Sequence, residues 1–333
     1  LSTKFGSIDI QPAEVGNAIL FAQKSGRKIG ELSYLFEKDG FEGKDMTVLA
    51  ERITKGGIVD MAYQQDPINV LWCARGDGKL LGFTYLAEQK IKAWHYHEIG
   101  GTDAEVESVS VIPSPDATRD DLWLVVKRTI NGATVRYVEY LTRYYEDDIA
   151  LEDATCYDSL LTYDGAATTT ISGLNHLIGQ TVGVLADGSS HPDCTVSSSG
   201  TITLNAEYEV VQIGLKNIWR IYTMQLEGGS ANGTAQGKTK RISKLIVRYL
   251  NTLGVLYGSK KENGTEELDE DTFDYGLQMG TATPLFSGDR VYPFPDGYNR
   301  NGQIILTNEG SEASGFPVTI LSIMPTVNTQ DSI

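Results

Sequence analysis

The sequence predicts an all-β protein: partial β-propeller blades, an inserted small β-barrel or sandwich, and a C-terminal β-sandwich, with one short helix near residues 45–54. Three observations carry this. Apolar runs of strand length alternate with turns containing Gly, Asn or Asp along most of the chain. Three segments, starting at Ala18, Asn69 and Asp121, repeat one order of residues. The composition is that of an ordered, turn-rich globular chain, with 35 glycines, 41% hydrophobic and 22% charged residues in 333.

Leu20, Leu71 and Leu122 are spaced 51 residues apart, and Phe21, Trp72 and Trp123 follow them in register. Tyr34 and Tyr85 close the first two units at the same spacing. The third unit has a longer turn, so Tyr137 or Tyr140 takes that place. Each unit reads as an apolar run, a turn and a second run, which is a β-hairpin. In the second unit the turn is Arg75-Gly76-Asp77-Gly78-Lys79, which contains a tripeptide that adhesive proteins offer to receptors. The repeat demands a turn there, and glycine with aspartate supplies one, so the turn reading is preferred. The third unit puts Asn131-Gly132 in the matching place.

Further strands are expected from Ile58, Ile91 and Val106, giving four strands in roughly 50 residues, the size of a propeller blade. Propellers usually have about four to eight blades. Three visible blades therefore lead to the expectation that either other parts of the chain or missing N-terminal sequence completes the ring. Asp45 is placed to cap a short helix in which Val48, Leu49 and Ile53 recur at helical spacing, replacing the last strand of the first unit.

Domain boundaries are expected as 1–150 for the blades, 151–216 for the small β-module and 217–333 for the terminal sandwich. An acidic connection, from Glu146 to Asp153, marks the first boundary. Strands are expected at "TVGVLADG", "TITL" and "YEVVQIGL", with turns at Asp187-Gly188 and Ser199-Gly200. "GGSANGTAQGKTKR" misses the phosphate-loop spacing, because Asn232 stands where a glycine is needed, and reads as a mobile hairpin tip. The acidic run Glu266, Glu267, Asp269, Glu270 and Asp271 matches no calcium loop and reads as a solvated loop. "QIILTN" and "PVTILSIM" are the terminal strands.

Signatures of chemistry are scarce. Cys73, Cys156 and Cys194 are odd in number and far apart, which argues against a disulfide framework or zinc knuckle and fits a reducing origin. Asn232 and Asn263 begin glycosylation acceptor patterns, and turn residues explain both. His95 and His97 stand two apart on an expected strand, so they share a face and could share a metal, but no third ligand can be named. Asp103, Glu105 and Glu107 are carboxylates of the kind a glycosidase pairs, and equally ordinary surface residues. No catalytic, cofactor-binding or metal-ligating residue is assigned, and no enzymatic activity is expected. A net charge of −16 argues against wrapping nucleic acid. No apolar run of 18 residues or basic amphipathic helix suggests membrane insertion.

Several long blocks carry a family resemblance: "GRKIGELSYLFEKDGFEGKDMTVLAERI", "YQQDPINVLWCARGDGKLLGFTYLAEQKIKAWHYHEIGG", "VESVSVIPSPDATRDDLWLVVKRTINGATVRYVEYL", "GLNHLIGQTVGVLADG", "PLFSGDRVYPFP" and "FPVTILSIMP". They resemble the C-terminal half of the tail hub, or nozzle, proteins of short-tailed bacteriophages and related prophages. The resemblance implies a virion component made in the host cytoplasm. Its subunits are expected to form a homo-oligomeric ring, six-fold in expectation, that contacts adaptor and fibre or spike proteins and passes DNA without binding it specifically. A propeller glycan hydrolase or lyase and a receptor-binding module are the alternatives.

Overall fold

In the computed structural model, residues 5–227, 234–271, 282–294, 297–311 and 315–330 are described. Of the segment 228–241 expected as a hairpin tip, 228–233, with Asn232, lies outside those residues; the rest makes a turn, with Lys238 N–H donating to Ala235 O at 3.3 Å, and enters a strand at Thr239. Two compact units divide the chain, Leu1–Tyr144 and Tyr145–Ile333. The first boundary lies beside the acidic connection, whereas position 216/217 falls inside the second unit.

Residues alternating at period two build three antiparallel sheets in the first unit. The first sheet runs β1 (Ala13–Val15), β2 (Ala18–Ala22), β3 (Ile29–Leu35) and β4 (Gly40–Asp45). The second runs β5 (Ile58–Gln64), β6 (Val70–Arg75), β7 (Leu80–Leu86) and β8 (Ile91–His97). The third has β9 (Glu105–Pro113), β10 (Asp120–Ile130) and β11 (Ala133–Tyr140). Each strand pairs with its sequence neighbour, the meander order of blades.

The second sheet is covered on both faces. Leu71, Cys73, Leu81, Phe83 and Tyr85 pack with Leu20, Ala22 and Ile29 of the first sheet. Val70, Trp72, Ala74 and Leu80, one residue out of phase, pack with Val109, Leu122, Leu124 and Val126 of the third. Polar links join the same layers: Asp60 Oδ2 accepts from Ser108 Oγ at 2.6 Å and from the Val109 amide at 3.0 Å.

The repeat is therefore present as sheets but not as a strict environment. Leu20, Leu71 and Leu122 are all buried, yet Leu20 and Leu71 share the core between the first two sheets. Trp72 is buried between layers, while Phe21 and Trp123 are half-buried on outward faces.

The expected helix near 45–54 does not form. After β4 the chain makes successive turns, with Ala50 N–H donating to Thr47 O at 2.8 Å and Ile53 N–H to Ala50 O at 2.9 Å. Asp45 does act as a local cap, its Oδ1 accepting from the Thr47 amide at 2.8 Å. Val48 and Leu49 point to solvent, so no apolar face holds a helix together. The first sheet also has a fourth strand where the helix was expected to replace one, and it is the third sheet that has three.

In the second unit, β12 (Tyr157–Ser172), β13 (Thr181–Ala186), β14 (Ser189–Thr195) and β15 (Thr201–Lys216) form a sheet in the order β12-β15-β13-β14. "TITL" and "YEVVQIGL" belong to one strand, β15. Asp187 and Gly188, with φ of 45° and 72°, make the two-residue turn between β13 and β14. The remaining strands are β16 (Arg220–Tyr222), β17 (Thr239–Thr252), β18 (Leu256–Lys260), β19 (Glu266–Glu270), β20 (Phe286–Pro293), β21 (Ile304–Thr307) and β22 (Thr319–Gln330). They form sheets β16-β21-β18-β19 and β20-β17-β22. Leu245, Val247 and Tyr249 of one sheet and Tyr257, Ile304 and Leu306 of the other share a core, the sandwich expected from the sequence. The acidic run is correspondingly not a loop, since most of it is β19.

Candidate functional sites

The Arg75 to Lys79 turn closes on itself. Arg75 N–H donates to Lys79 O at 2.9 Å and Gly78 N–H to Arg75 O at 2.7 Å, with Gly78 at φ 82°. The Arg75 guanidinium then forks onto Asp77, Nε to Oδ1 at 2.6 Å and Nη2 to Oδ2 at 2.7 Å. Nη1 also donates to the carbonyl of Ile53, and the Arg75 side chain is only 11% exposed. A receptor reading this tripeptide needs its cation and carboxylate free, and here each occupies the other. That pairing holds the Asp77 carboxyl below the usual carboxylate range.

Alternation along β8 places His95 and His97 on one face, as the sequence predicts. Nδ1 of His95 lies 2.8 Å from Nε2 of His97, and His95 Nε2 lies 3.2 Å from Thr84 Oγ1. Both rings pack against Trp72, at centroid distances of 6.0 and 5.1 Å. The His95 ring lies over Gly82, where an added Cβ would sit 2.0 Å from its Cε1. Burial lowers the pKa of His95, and burial together with His95 lowers that of His97 to about 4. The two nitrogens are turned toward each other rather than toward a common third point. Among the described residues no group of three or more His, Cys, Asp or Glu gathers as a metal site.

The carboxylates flagged in sequence are engaged by neighbours. Thr129 Oγ1 donates to Asp103 at 3.1 Å, Lys127 pairs with Glu105 at 2.6 Å, and Arg136 forks onto Glu107 at 2.7 and 2.9 Å. These three lie on the third sheet and its entry, where the neighbouring cations Lys127 and Arg136 hold Glu105 and Glu107.

Sequence reasoning missed a cavity of about 630 Å³ in the second unit, lined by Asp193, Lys216, Glu270, Asp271, Glu309 and Ser311 among others. Three of its four carboxylates face cations: Asp193 pairs with Lys216 at 2.7 Å, Asp271 with Arg290 at 2.7 Å, and Glu309 with Arg220. Asp271 also accepts from Tyr292 OH at 2.7 Å. Glu270 instead accepts from the hydroxyl of Ser311 at 2.8 Å. These residues come from loops and strands up to 118 positions apart, Asp193 to Ser311, so no local pattern announces them.

His191 and Cys194 lie beside this cavity, with Sγ 3.9 Å from Nδ1. The Asn205 amide donates to His191 Nε2 at 3.2 Å, which leaves the ring proton on Nδ1, directed at Pro192 O at 2.7 Å. His191 Nδ1 therefore cannot accept the thiol proton, and burial raises the Cys194 pKa. Burial likewise raises Cys73 and pushes Cys156 up to about 12, so none of the three is an activated thiolate. No helix among the described residues is long and apolar enough to cross a membrane.

No protein-family model and no curated protein matches the chain. Two solved structures of exo-β-1,3-galactanase from Phanerochaete chrysosporium, each with β-1,3-galactotriose, match 97% of this chain and 95% of theirs at 11% identity, with TM-scores of 0.24 and 0.23. The expectation of no enzymatic activity is corrected on this finding, because the matched structures are of a glycan-cleaving enzyme. At these values the likeness assigns no reaction, substrate or residue to the chain.

Proposed function

We propose that the chain is a building block of a phage tail, in the hub or nozzle ring through which DNA leaves the particle. The observation that carries this reading is the open stack of the first unit. Its middle sheet is covered on both faces, while the first sheet turns Ile19, Tyr34 and Phe41 outward and the third turns outward Trp123, Tyr140 and Val138 beside the Lys127–Glu105 and Arg136–Glu107 ion pairs. Such layers suit a wall built from many copies, since contiguous exposed apolar surface marks contact with another macromolecule. The sequence blocks quoted above support the tail assignment, and they run through both units. The acidic balance of the chain suits a conduit, because each basic contact to phosphate would add affinity for the passing DNA. Adaptor and fibre or spike proteins are the expected neighbours, and the virion tail the expected location.

Immunogold electron microscopy of particles from the encoding phage or prophage tests this. Label is expected at the tail tip, and a nonsense allele is expected to yield particles that lack the tip and leak DNA. Complete, infectious tails without the chain would defeat the proposal.

A second reading, glycan hydrolysis or lysis, is favoured by the carboxylate-lined cavity of the second unit. Glu270 would be its acid or base, since a hydroxyl rather than a cation holds it. Turnover of a mixed polysaccharide panel, abolished by Glu270→Gln, would support this reading. No turnover by the unmodified chain would remove it.

A further inference from the structure

We propose that Asn131 is a site of spontaneous covalent modification, where the side-chain amide closes on the nitrogen of Gly132 and hydrolyses to aspartate or isoaspartate. The chemistry needs only water, and so is independent of what the chain binds.

Four Asn-Gly pairs occur in the chain, at Asn131, Asn232, Asn263 and Asn301. Asparagine is a thermolabile residue, most so before glycine, whose lack of a Cβ leaves the following nitrogen open to approach. All but the Asn232 pair lie among the described residues. The attacking atom is the glycine nitrogen and the atom attacked is the asparagine Cγ, so a pair reacts only when both are free to meet.

The structure separates the three pairs on those two groups. Gly264 N–H donates to Lys261 O at 2.9 Å, and Asn263 Oδ1 accepts from the Thr265 amide at 2.9 Å. Gly302 is buried, and its N–H donates to Asn299 Oδ1 at 2.7 Å. The Asn301 amide is held at both ends, Nδ2 donating to Lys261 O at 3.3 Å and Oδ1 accepting from Gln225 Nε2 at 3.5 Å. Asn131 and Gly132 are both exposed, and among the described residues no group bonds the Asn131 side chain or the Gly132 N–H. Turn geometry explains this. In a two-residue hairpin turn the flanking residues, here Ile130 and Ala133, make the backbone bonds, and the central pair, at φ 49° and 74°, faces solvent.

The Gly132 nitrogen, after losing its proton to hydroxide, bonds to Asn131 Cγ. The Cγ–Nδ2 bond breaks, and Nδ2 leaves as ammonia with a proton from water, which closes a cyclic imide and restores the hydroxide. Water then adds to one ring carbonyl and cleaves its bond to the Gly132 nitrogen, which takes back a proton. Opening at Cγ gives aspartate, and opening at the main-chain carbonyl gives isoaspartate. Either product adds a negative charge to the turn. Isoaspartate also lengthens the main chain by one methylene between the paired Ile130 and Ala133, so β10 and β11 fray from that end.

The whole folded chain, held in warm, mildly alkaline buffer, is digested with trypsin at mildly acidic pH and mapped by mass spectrometry. Trypsin leaves the four pairs on four peptides, with Asn131 on Thr129–Arg136. Conversion is read as the mass gained when NH2 becomes OH, and isoaspartate by labelling with an isoaspartyl methyltransferase. Asn131 is expected to convert about tenfold faster than Asn263 and Asn301, which must first release their hydrogen bonds. In guanidinium chloride, where those bonds are gone, the three rates are expected to converge. The inference is overturned if Asn131 keeps its amide in the folded chain, if Asn263 or Asn301 keeps pace with it there, or if the same order persists on unfolding. Hydrogen exchange on the isoaspartate form is expected to show protection lost first at Ile130 and Ala133, and full protection there would overturn the fraying.

Discussion

Replacing Trp72 with phenylalanine separates the layered core from the sequence repeat that first pointed to it. Trp72 is 1% exposed, and its Nε1 donates to Gln64 Oε1 at 2.8 Å. Gln64 Nε2 in turn donates to the Asp120 carbonyl at 2.7 Å, so the indole anchors a link from the second sheet to the third. Phenylalanine keeps most of the packing but removes the only N–H of the side chain. Gln64 is itself buried, and its amide oxygen then has no indole donor. An orphaned buried acceptor costs about 1–3 kcal/mol. At a central value of about 2 kcal/mol, and about 2–4 °C per kcal/mol for a unit of this size, the melting temperature falls by about 4–8 °C. Trp123→Phe, at the position aligned with Trp72, is the internal control. Trp123 is half-buried on the outward face, so its replacement should cost under about 0.5 kcal/mol. Urea unfolding followed by far-ultraviolet circular dichroism measures both. Equal losses for the two variants would refute the reasoning, because the repeat would then have placed both rings in the same surroundings.

Asp77→Ala should lower stability by under about 1 kcal/mol, since the carboxylate is half exposed and its ion pair is screened. It should leave adsorption to cells unchanged, and a loss of adsorption in a binding assay would show that the turn is read by a receptor. His95 and His97 give a pH signature. Their folded pKa values lie below the ordinary 6.5, so between pH 6.5 and about 4 the unfolded chain binds more protons and stability falls as the pH falls. His97 alone should account for about 2 kcal/mol between pH 7 and 5. His97→Phe should flatten that segment of a urea-midpoint profile, and an unchanged slope would contradict the buried neutral pair. Gly82→Ala brings a methyl within 2.0 Å of the His95 ring and should cost about 1–3 kcal/mol, read by thermal denaturation. A variant as stable as the parent would mean that the ring does not lie over that glycine.

What the sequence by itself determined is what depends on near neighbours. Period-two alternation made Ile58–Gln64 and Ile91–His97 strands and put both histidines on one face, because successive side chains of a strand point to opposite sides. Asp187-Gly188 became a two-residue turn because both residues sit at positive φ, and Asn131-Gly132 did the same, so the third unit has a shorter turn than the second rather than the longer one expected, and it is its strands that are longer. Asp45 capped the backbone after it, since an aspartate needs only an amide two residues on. The tertiary structure decided whatever depends on which surface meets which. Helical spacing at Val48, Leu49 and Ile53 yielded turns, because no layer covers Val48 and Leu49. The aligned Phe21, Trp72 and Trp123 parted company because only the middle sheet has a neighbour on that side. Asp271 chose Arg290, and Glu107 chose Arg136, through distances that no spacing in the chain encodes. Strand direction and turn geometry are short-range quantities, whereas burial and ion pairing are set by residues brought together from far along the chain.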